Sequence, residues 1–231
     1  MHQKDNDAFD EAVQRLGWPD TISFTTHRSK LSELPESVKF DTIVSPANSY
    51  GRLDGAFDDA ISRAFSPQSQ YLALTRVVQA QLYDQYRGFA PPGTCTLVRI
   101  PDEFTAESRN VWGTKHLALC PTMRIPQVVV WDKEVIYECI WTLLCAVDKH
   151  NRRLGEGSGG GDETIRTILM TPLATGVGKV SEKRWAAQLV TAVKHFERAL
   201  VQPETFGALD PQHIFDLDDE IAATYGDATV G

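Results

Sequence analysis

Val44-Ser45-Pro46-Ala47-Asn48-Ser49-Tyr50-Gly51-Arg52-Leu53-Asp54-Gly55-Ala56-Phe57-Asp58-Asp59-Ala60-Ile61 is the stretch that decides the architecture. The apolar step Ile43-Val44 closes a short run of strand character and Ser45-Pro46 ends it. Ala56, Ala60, Ile61, Ala64 and Phe65 then recur at helical spacing until Ser66-Pro67. A strand feeding a helix through a turn that carries Asn48, Gly51 and Gly55 is one unit of a layered α/β body. A second such turn, Leu169-Met170-Thr171-Pro172-Leu173-Ala174-Thr175-Gly176-Val177-Gly178-Lys179, lies between a strand expected over 164–170 and a helix expected over 181–200.

The same periodicities fill in the rest of the chain. A helix is expected over 7–16, with Ala8, Phe9, Ala12, Val13 and Leu16 on one face and Gly17 after its end. Ile22 and Phe24 alternate with polar neighbours, which predicts a half-buried strand over 21–26. Ser66 and Pro67 are suited to the cap and first position of a helix running to about Arg87, with Leu74, Val77, Val78, Leu82 and Tyr86 on its buried face. Further strands are expected over 94–100 and 115–120, and a long helix over 132–150. Strands alternating with helices argue for a largely parallel sheet. The glycine-rich stretch 151–163 reads as a linker. Its Gly155, Gly157 and Gly160 match a dinucleotide fingerprint, but they follow a helix and precede a strand, the reverse of what that motif requires. The chain thus divides into an N-terminal helical extension (1–20), an α/β body (21–201) and an acidic tail (202–231).

Composition bounds the function. The 231 residues are 42% hydrophobic and 23% charged, as expected of a globular chain, with a formal net charge of −8. Residues 202–231 contain seven acidic side chains and no Lys or Arg, leaving 23 basic and 24 acidic side chains in residues 1–201. A near-neutral body lacks the concentrated cationic face that nucleic acid requires. The longest apolar stretch falls far short of a membrane span, and the acidic N-terminal residues do not suit a secretory leader. A cytoplasmic or nuclear location is expected. Cys95, Cys120, Cys139 and Cys145 form no CxxC pair, and His116 and His150 stand at no ligand spacing from them, so reduced thiols and no metal are expected.

In open α/β sheets, ligands gather beyond the carboxyl ends of strands, where helix N-termini offer N–H groups and a positive dipole end. Both quoted turns fit that description. Their glycines allow close approach of backbone to an anion, and Thr175 adds a hydroxyl, but no Gly-Lys-Ser/Thr closes either turn as a P-loop would. Lys179 is available to a phosphate or to solvent, and Tyr50 is placed where a ring could stack on a ligand. Trp112, Trp131 and Trp141 read as core or rim aromatics.

The first stretch resembles the signature of macrodomains, ADP-ribose-binding modules. In these a strand ends in Asn-Ala-Ala-Asn-Ser, passes a glycine-rich loop and enters a helix with Val-Asp-x-Ala-Ile. Ser45-Pro46-Ala47-Asn48-Ser49 takes the first part and Phe57-Asp58-Asp59-Ala60-Ile61 the last. Ala174-Thr175-Gly176-Val177 is similar to the family's Ser-Thr-Gly-Ile-Tyr-Gly turn, and Pro92-Gly93-Thr94 to the start of its Gly-Glu-Ala strand. The resemblance implies a three-layer α/β/α fold with a mixed, largely parallel sheet. It further implies that Asn48 bonds the distal ribose, that Ala47, Tyr50, Gly55, Ala56 and Phe57 wrap that ribose and a phosphate, and that Ala174, Thr175, Gly176, Val177 and Gly178 cradle the diphosphate. Asp58 would lie near the distal ribose. Asn48 and Asp58 are the catalytic pair if the chain is an enzyme, and His27 falls where the family has an adenine-reading Asp.

The sequence also departs from the family. Ser45 replaces the first Asn, Leu53-Asp54-Gly55-Ala56 replaces a run of glycines, and Gly178 stands where an aromatic residue leans on the ribose. These changes touch chemistry more than binding, because a backbone cradle survives them while placement of a water does not. The preferred reading is therefore a reader of ADP-ribose, of a related metabolite of nicotinamide adenine dinucleotide, or of an ADP-ribosylated protein. The alternatives are a hydrolase acting on ADP-ribosyl groups, on an acyl ester of ADP-ribose or on ADP-ribose phosphate, and a non-binding adaptor that works through the acidic tail.

Overall fold

The computed structural model describes residues 3–155 and 163–226. Among these, four strands form one sheet in the order β2-β3-β1-β4, with β1 Thr42–Ser45, β2 Thr96–Arg99, β3 His116–Leu119 and β4 Ile168–Leu169. β1 lies parallel to both β3 and β4, and β2 runs antiparallel to β3. The sheet is thus mixed and largely parallel, as expected.

Alternation along the strands sets the layers. Val44 and Ala118 face one core, shared with Phe9 of helix α1 (Gln3–Leu16), Ile136 and Ile140 of α4 (Val135–Gly155), and Trp185 and Val190 of α5 (Glu182–Val201). Ile43, Leu117 and Leu119 face a second core, built with Ile61 and Phe65 of α2 (Ala56–Phe65) and Leu74, Val78 and Leu82 of α3 (Ala73–Tyr86). The result is a three-layer α/β/α body. Each fully buried aliphatic or aromatic side chain in these cores contributes roughly 1.5–3 kcal/mol. Helix α1 packs directly against α5, with Phe9 in ring contact with Trp18, Phe24 and Trp185, so this N-terminal segment helps to build the first core.

Several elements differ from the sequence expectation: α1 starts earlier, at Gln3, and α4 runs to Gly155, into the stretch expected as linker, while three other differences have a visible local cause. Residues 21–26 form no strand. The Trp18 indole donates to the Ile22 carbonyl at 2.6 Å and Phe24 packs on Phe9 and Trp18, so ring contacts take the segment that a ladder would have used. Helix α3 starts at Ala73 rather than at Pro67. Tyr71 is held outside the helix by its hydroxyl's bond to Asp59 (2.7 Å) and by Arg63 over its ring, while Ser66 still accepts from the Leu74 N–H across the intervening turn. β4 shrinks to two residues because side chains replace the ladder upstream: Asp41 accepts the N–H groups of Arg166 and Thr167, and Asn151 brackets Ile165.

Beyond α5, a short α6 (Pro203–Phe206) leads to α7 (Pro211–Ala222), which Asp210 caps by accepting from the His213 N–H. The tail is fastened by polar contacts. Glu220 meets His195 (3.0 Å) and Arg198 (2.8 Å), Tyr225 bonds Glu134, and Arg184 donates to the Tyr225 carbonyl. Of its apolar stripe, Leu217, Ile221 and Ala222 are half-buried and Ile214 is exposed. Residues 156–162, including Gly157 and Gly160, and residues 227–231 of the acidic tail lie outside the described residues.

Candidate functional site

Because β1 and β4 are neighbouring parallel strands, the loops that leave their carboxyl ends open on the same edge of the sheet. The structure therefore brings the two sequence-predicted turns together. A third segment, 121–131 after β3, ties into both: Asn48 forms an isolated bridge with Met123, Ser49 N–H donates to the Met123 carbonyl, and Val129 N–H donates to the Gly178 carbonyl. Sequence reasoning passed over this segment, although it begins at the end of a strand lying beside β1 and carries Pro121 and Pro126.

The first loop is built largely by its own side chains. Asn48 Oδ1 accepts the Tyr50 N–H at 3.0 Å and Nδ2 reaches the Arg52 carbonyl at 3.4 Å, an Asx turn that shapes the loop. Gly51 (φ +65°) has no room for a side chain, since a Cβ there would sit 2.8 Å from Val78. Leu53 and Ala47 are buried, and Arg52 pairs with Asp54, so the acid at the loop tip has a cationic partner. Tyr50 is exposed and leans on Phe89. Gly55 and Ala56 are exposed at the start of α2, Phe57 is half-buried, and no side chain caps this helix. Among the described residues nothing accepts the N–H groups of Gly55, Ala56 or Phe57.

The second loop repeats the arrangement. Leu173 and Ala174 are buried and anchor it, Thr175 is half-buried, and Gly176, Val177 and Lys179 are exposed. The N–H groups of Thr175, Gly176, Val177 and Gly178 meet no acceptor among the described residues, so four successive donors are left for solvent or ligand. A Cβ on Gly176 would touch nothing within 4 Å, whereas one on Gly178 would lie 2.5 Å from the Ala174 carbonyl. Gly178 thus serves packing. Gly178→Ala is expected to lower Tm by several degrees, the overpacking cost being roughly 1–3 kcal/mol; a melting curve unchanged from that of the parent would show that the turn has slack. Ala56 (φ 48°) and Ala174 (φ 57°) both hold left-handed backbone, each at a cost on the order of 1 kcal/mol.

Asp58 lies in the first turn of α2, only 8% exposed, and accepts a hydrogen bond from Ser45 Oγ at 2.6 Å. Burial pushes its carboxyl up to about 7; the Ser45 hydrogen bond pulls the other way, and the nearby Asp54 charge adds to the rise. Ser45, at the end of β1, thus has a visible partner in Asp58.

Beside the loops, a cavity of about 570 Å³ runs along the free edge of β4. His27 and Phe57 both line it, together with the rings of Trp18, Phe24 and Trp185 and the backbone up to Thr171. Phe57 and Thr171 are where this apolar chamber adjoins the two loops. The aromatic wall was not legible as a site from the sequence, because its members come from segments far apart along the chain. Trp112 is buried in the second core, while Trp131 is 69% exposed and lies outside both cores. Among the described residues no group of three or more His, Cys, Asp or Glu side chains gathers to hold a metal ion.

No protein-family model matches the sequence, and no curated protein matches it. Solved structures do. A macrodomain of Oceanobacillus iheyensis with ADP is similar at 17% identity and a TM-score of 0.47, over 68% of this chain and 69% of that one. The macrodomain of Mycobacterium tuberculosis DarG is similar at 15% identity and 0.48, over 76% and 89%. An Oceanobacillus iheyensis macrodomain with MES bound gives 14% and 0.46, over 80% and 85%.

Proposed function

We propose that this chain is a macrodomain-like reader that binds ADP-ribose or a close derivative, free or attached to a protein. The observation that carries the reading is the pair of unpaired N–H arrays, Gly55 to Phe57 and Thr175 to Gly178, at the carboxyl ends of adjacent parallel strands. Such arrays suit a diphosphate, whose two anionic centres need donors from two directions. The cavity reached past Phe57 and Thr171 supplies an apolar chamber of nucleobase size, with His27 in its wall as a polar group able to meet a purine edge. Strained alanines in both loops are in keeping with a preformed clamp.

Turnover is the second reading, and the residues it would call on are engaged inside the protein. Asn48 spends its amide on its own loop, and Asp58 is buried against Ser45. A general base must reach the water it activates, so binding without hydrolysis is the better-supported function. Isothermal titration with ADP-ribose tests it: saturable heat with one site per chain is expected, and absence of both heat and thermal shift at millimolar ligand would point instead to an adaptor acting through α7. Incubation with a mono-ADP-ribosylated protein is expected to leave the modification in place. Release of ADP-ribose that Asn48→Ala or Asp58→Ala removes would make the chain a hydrolase.

A further inference from the structure

The four cysteines, which the function above does not use, collect in one place. Cys95 immediately precedes β2 and Cys120 immediately follows β3, and continuing the antiparallel register Thr96↔Leu119 sets Cys95 directly opposite Cys120. The phase of the ladder is fixed by Ile100 N–H donating to the Lys115 carbonyl, which makes 100 and 115 a hydrogen-bonded pair. Counting back in steps of two, 98 with 117 and 96 with 119 are hydrogen-bonded pairs, so Cys95 and Cys120 occupy a non-hydrogen-bonded one. There the Cα atoms of facing residues lie about 4.5 Å apart with side chains close together, inside the range that a disulfide spans without moving the backbone. The neighbouring Cys95, and then burial, push the Cys120 thiol well above its ordinary range, as two facing thiols in a buried pair would. Cys95 is half-buried and Cys120 fully buried, both on the face covered by α4. Cys139 of α4 also lies in that core, but its Sγ–H is directed at the Pro121 carbonyl (3.5 Å), and Cys145 is exposed.

We infer that Cys95 and Cys120 are a reversible oxidation site, forming a cross-strand disulfide in response to a peroxide. The Cys95 thiolate, the one open to solvent, attacks the peroxide O–O bond and becomes a sulfenic acid, releasing water once the leaving oxygen is protonated. Cys120 sulfur then attacks Cys95 sulfur, and the departing hydroxide takes the Cys120 proton as a second water. Two thiols and one hydrogen peroxide thus give one disulfide and two waters; a dithiol reductant reverses the bond. The link would fasten the strand end from which 121–131 departs, the segment bonded to both ligand loops.

The test treats the full chain, and the Cys145→Ser chain in which the exposed thiol cannot join molecules, with hydrogen peroxide. Remaining thiols are then blocked and the non-reduced peptides mapped by mass spectrometry. In both proteins the Cys95 and Cys120 thiols should disappear, return with dithiothreitol, and map to a Cys95–Cys120 linked peptide. In Cys95→Ser, whose side chain is half-exposed and whose fold melting can verify, that peptide must be absent and Cys120 must remain alkylatable on unfolding. A link from Cys95 to Cys139 or Cys145 in place of Cys120, or retention of all buried thiols at peroxide levels that oxidise Cys145, would overturn the assignment.

Discussion

Gly176→Glu is expected to weaken ADP-ribose binding by at least about 100-fold, roughly 3 kcal/mol, while leaving the melting temperature where it was. The two halves of this result come from separate features of the loop. A side chain at 176 meets no protein atom within 4 Å, and the glycine is not in left-handed backbone, so the folded chain accepts the substitution. The N–H groups of Thr175 to Gly178 on either side of it meet no acceptor among the described residues. A carboxylate placed there competes for those donors and opposes a diphosphate by charge at short range. Gly176→Ala is the control, adding one methyl without charge, and should cost far less. Wild-type affinity in Gly176→Glu, measured by calorimetry on protein of unchanged Tm, would move the ligand away from the second loop.

Asp58→Asn should stabilise the protein at alkaline pH by several degrees in Tm, with the gain fading as the pH is lowered towards 4. The sign follows from burial. With its carboxyl at about 7 in the folded chain against an ordinary value of 3.8, Asp58 is neutral when folded and ionised when unfolded across the interval between them. Its favourable contribution is therefore complete below about 3.8 and is lost as the pH rises through 7, above which an ionised carboxylate stays buried. At about 1.4 kcal/mol per pKa unit the difference amounts to a few kcal/mol, and each kcal/mol moves Tm by roughly 2–4 °C in a chain of this size. Asparagine keeps an oxygen for the Ser45 hydroxyl and carries no charge. Thermal melts of the two proteins from pH 4.5 to 8.5 should diverge; parallel curves would mean that Asp58 reaches water. Because the side chain is occupied by Ser45, the reader function also requires Asp58→Asn to bind ADP-ribose within a few-fold of the parent.

Much of the layered body was legible because its elements carry strong periodic signals. Helix α2 begins and ends where the spacing from Ala56 to Phe65 and the Ser66-Pro67 break place it, and β1 follows from Ile43-Val44. Where expectation and structure part, tertiary partners outvoted local pattern. Ile22 and Phe24 alternate as a strand should, yet Trp18 and Phe9 hold them; Pro67 could open a helix, yet Tyr71 is pinned to Asp59. The turns of the candidate site were visible through Asn48, Gly55 and Gly176, residue types that suit turns and close approach of backbone to an anion. The cavity wall left none. Phe9, Trp18, Phe24 and Trp185 each satisfy an ordinary core pattern, and only folding shows that their rings border an open chamber containing His27.

Two backbone arrays on one sheet edge are proposed to grip the diphosphate of a single ligand. A crystal structure of the chain with ADP-ribose tests it directly. Phosphate density within hydrogen-bonding reach of the N–H groups of Gly55 to Phe57 and of Thr175 to Gly178, with the base entering the chamber past Phe57, is the predicted result. A ligand bound elsewhere, or one whose phosphates touch neither loop, would rule the two-loop clamp out.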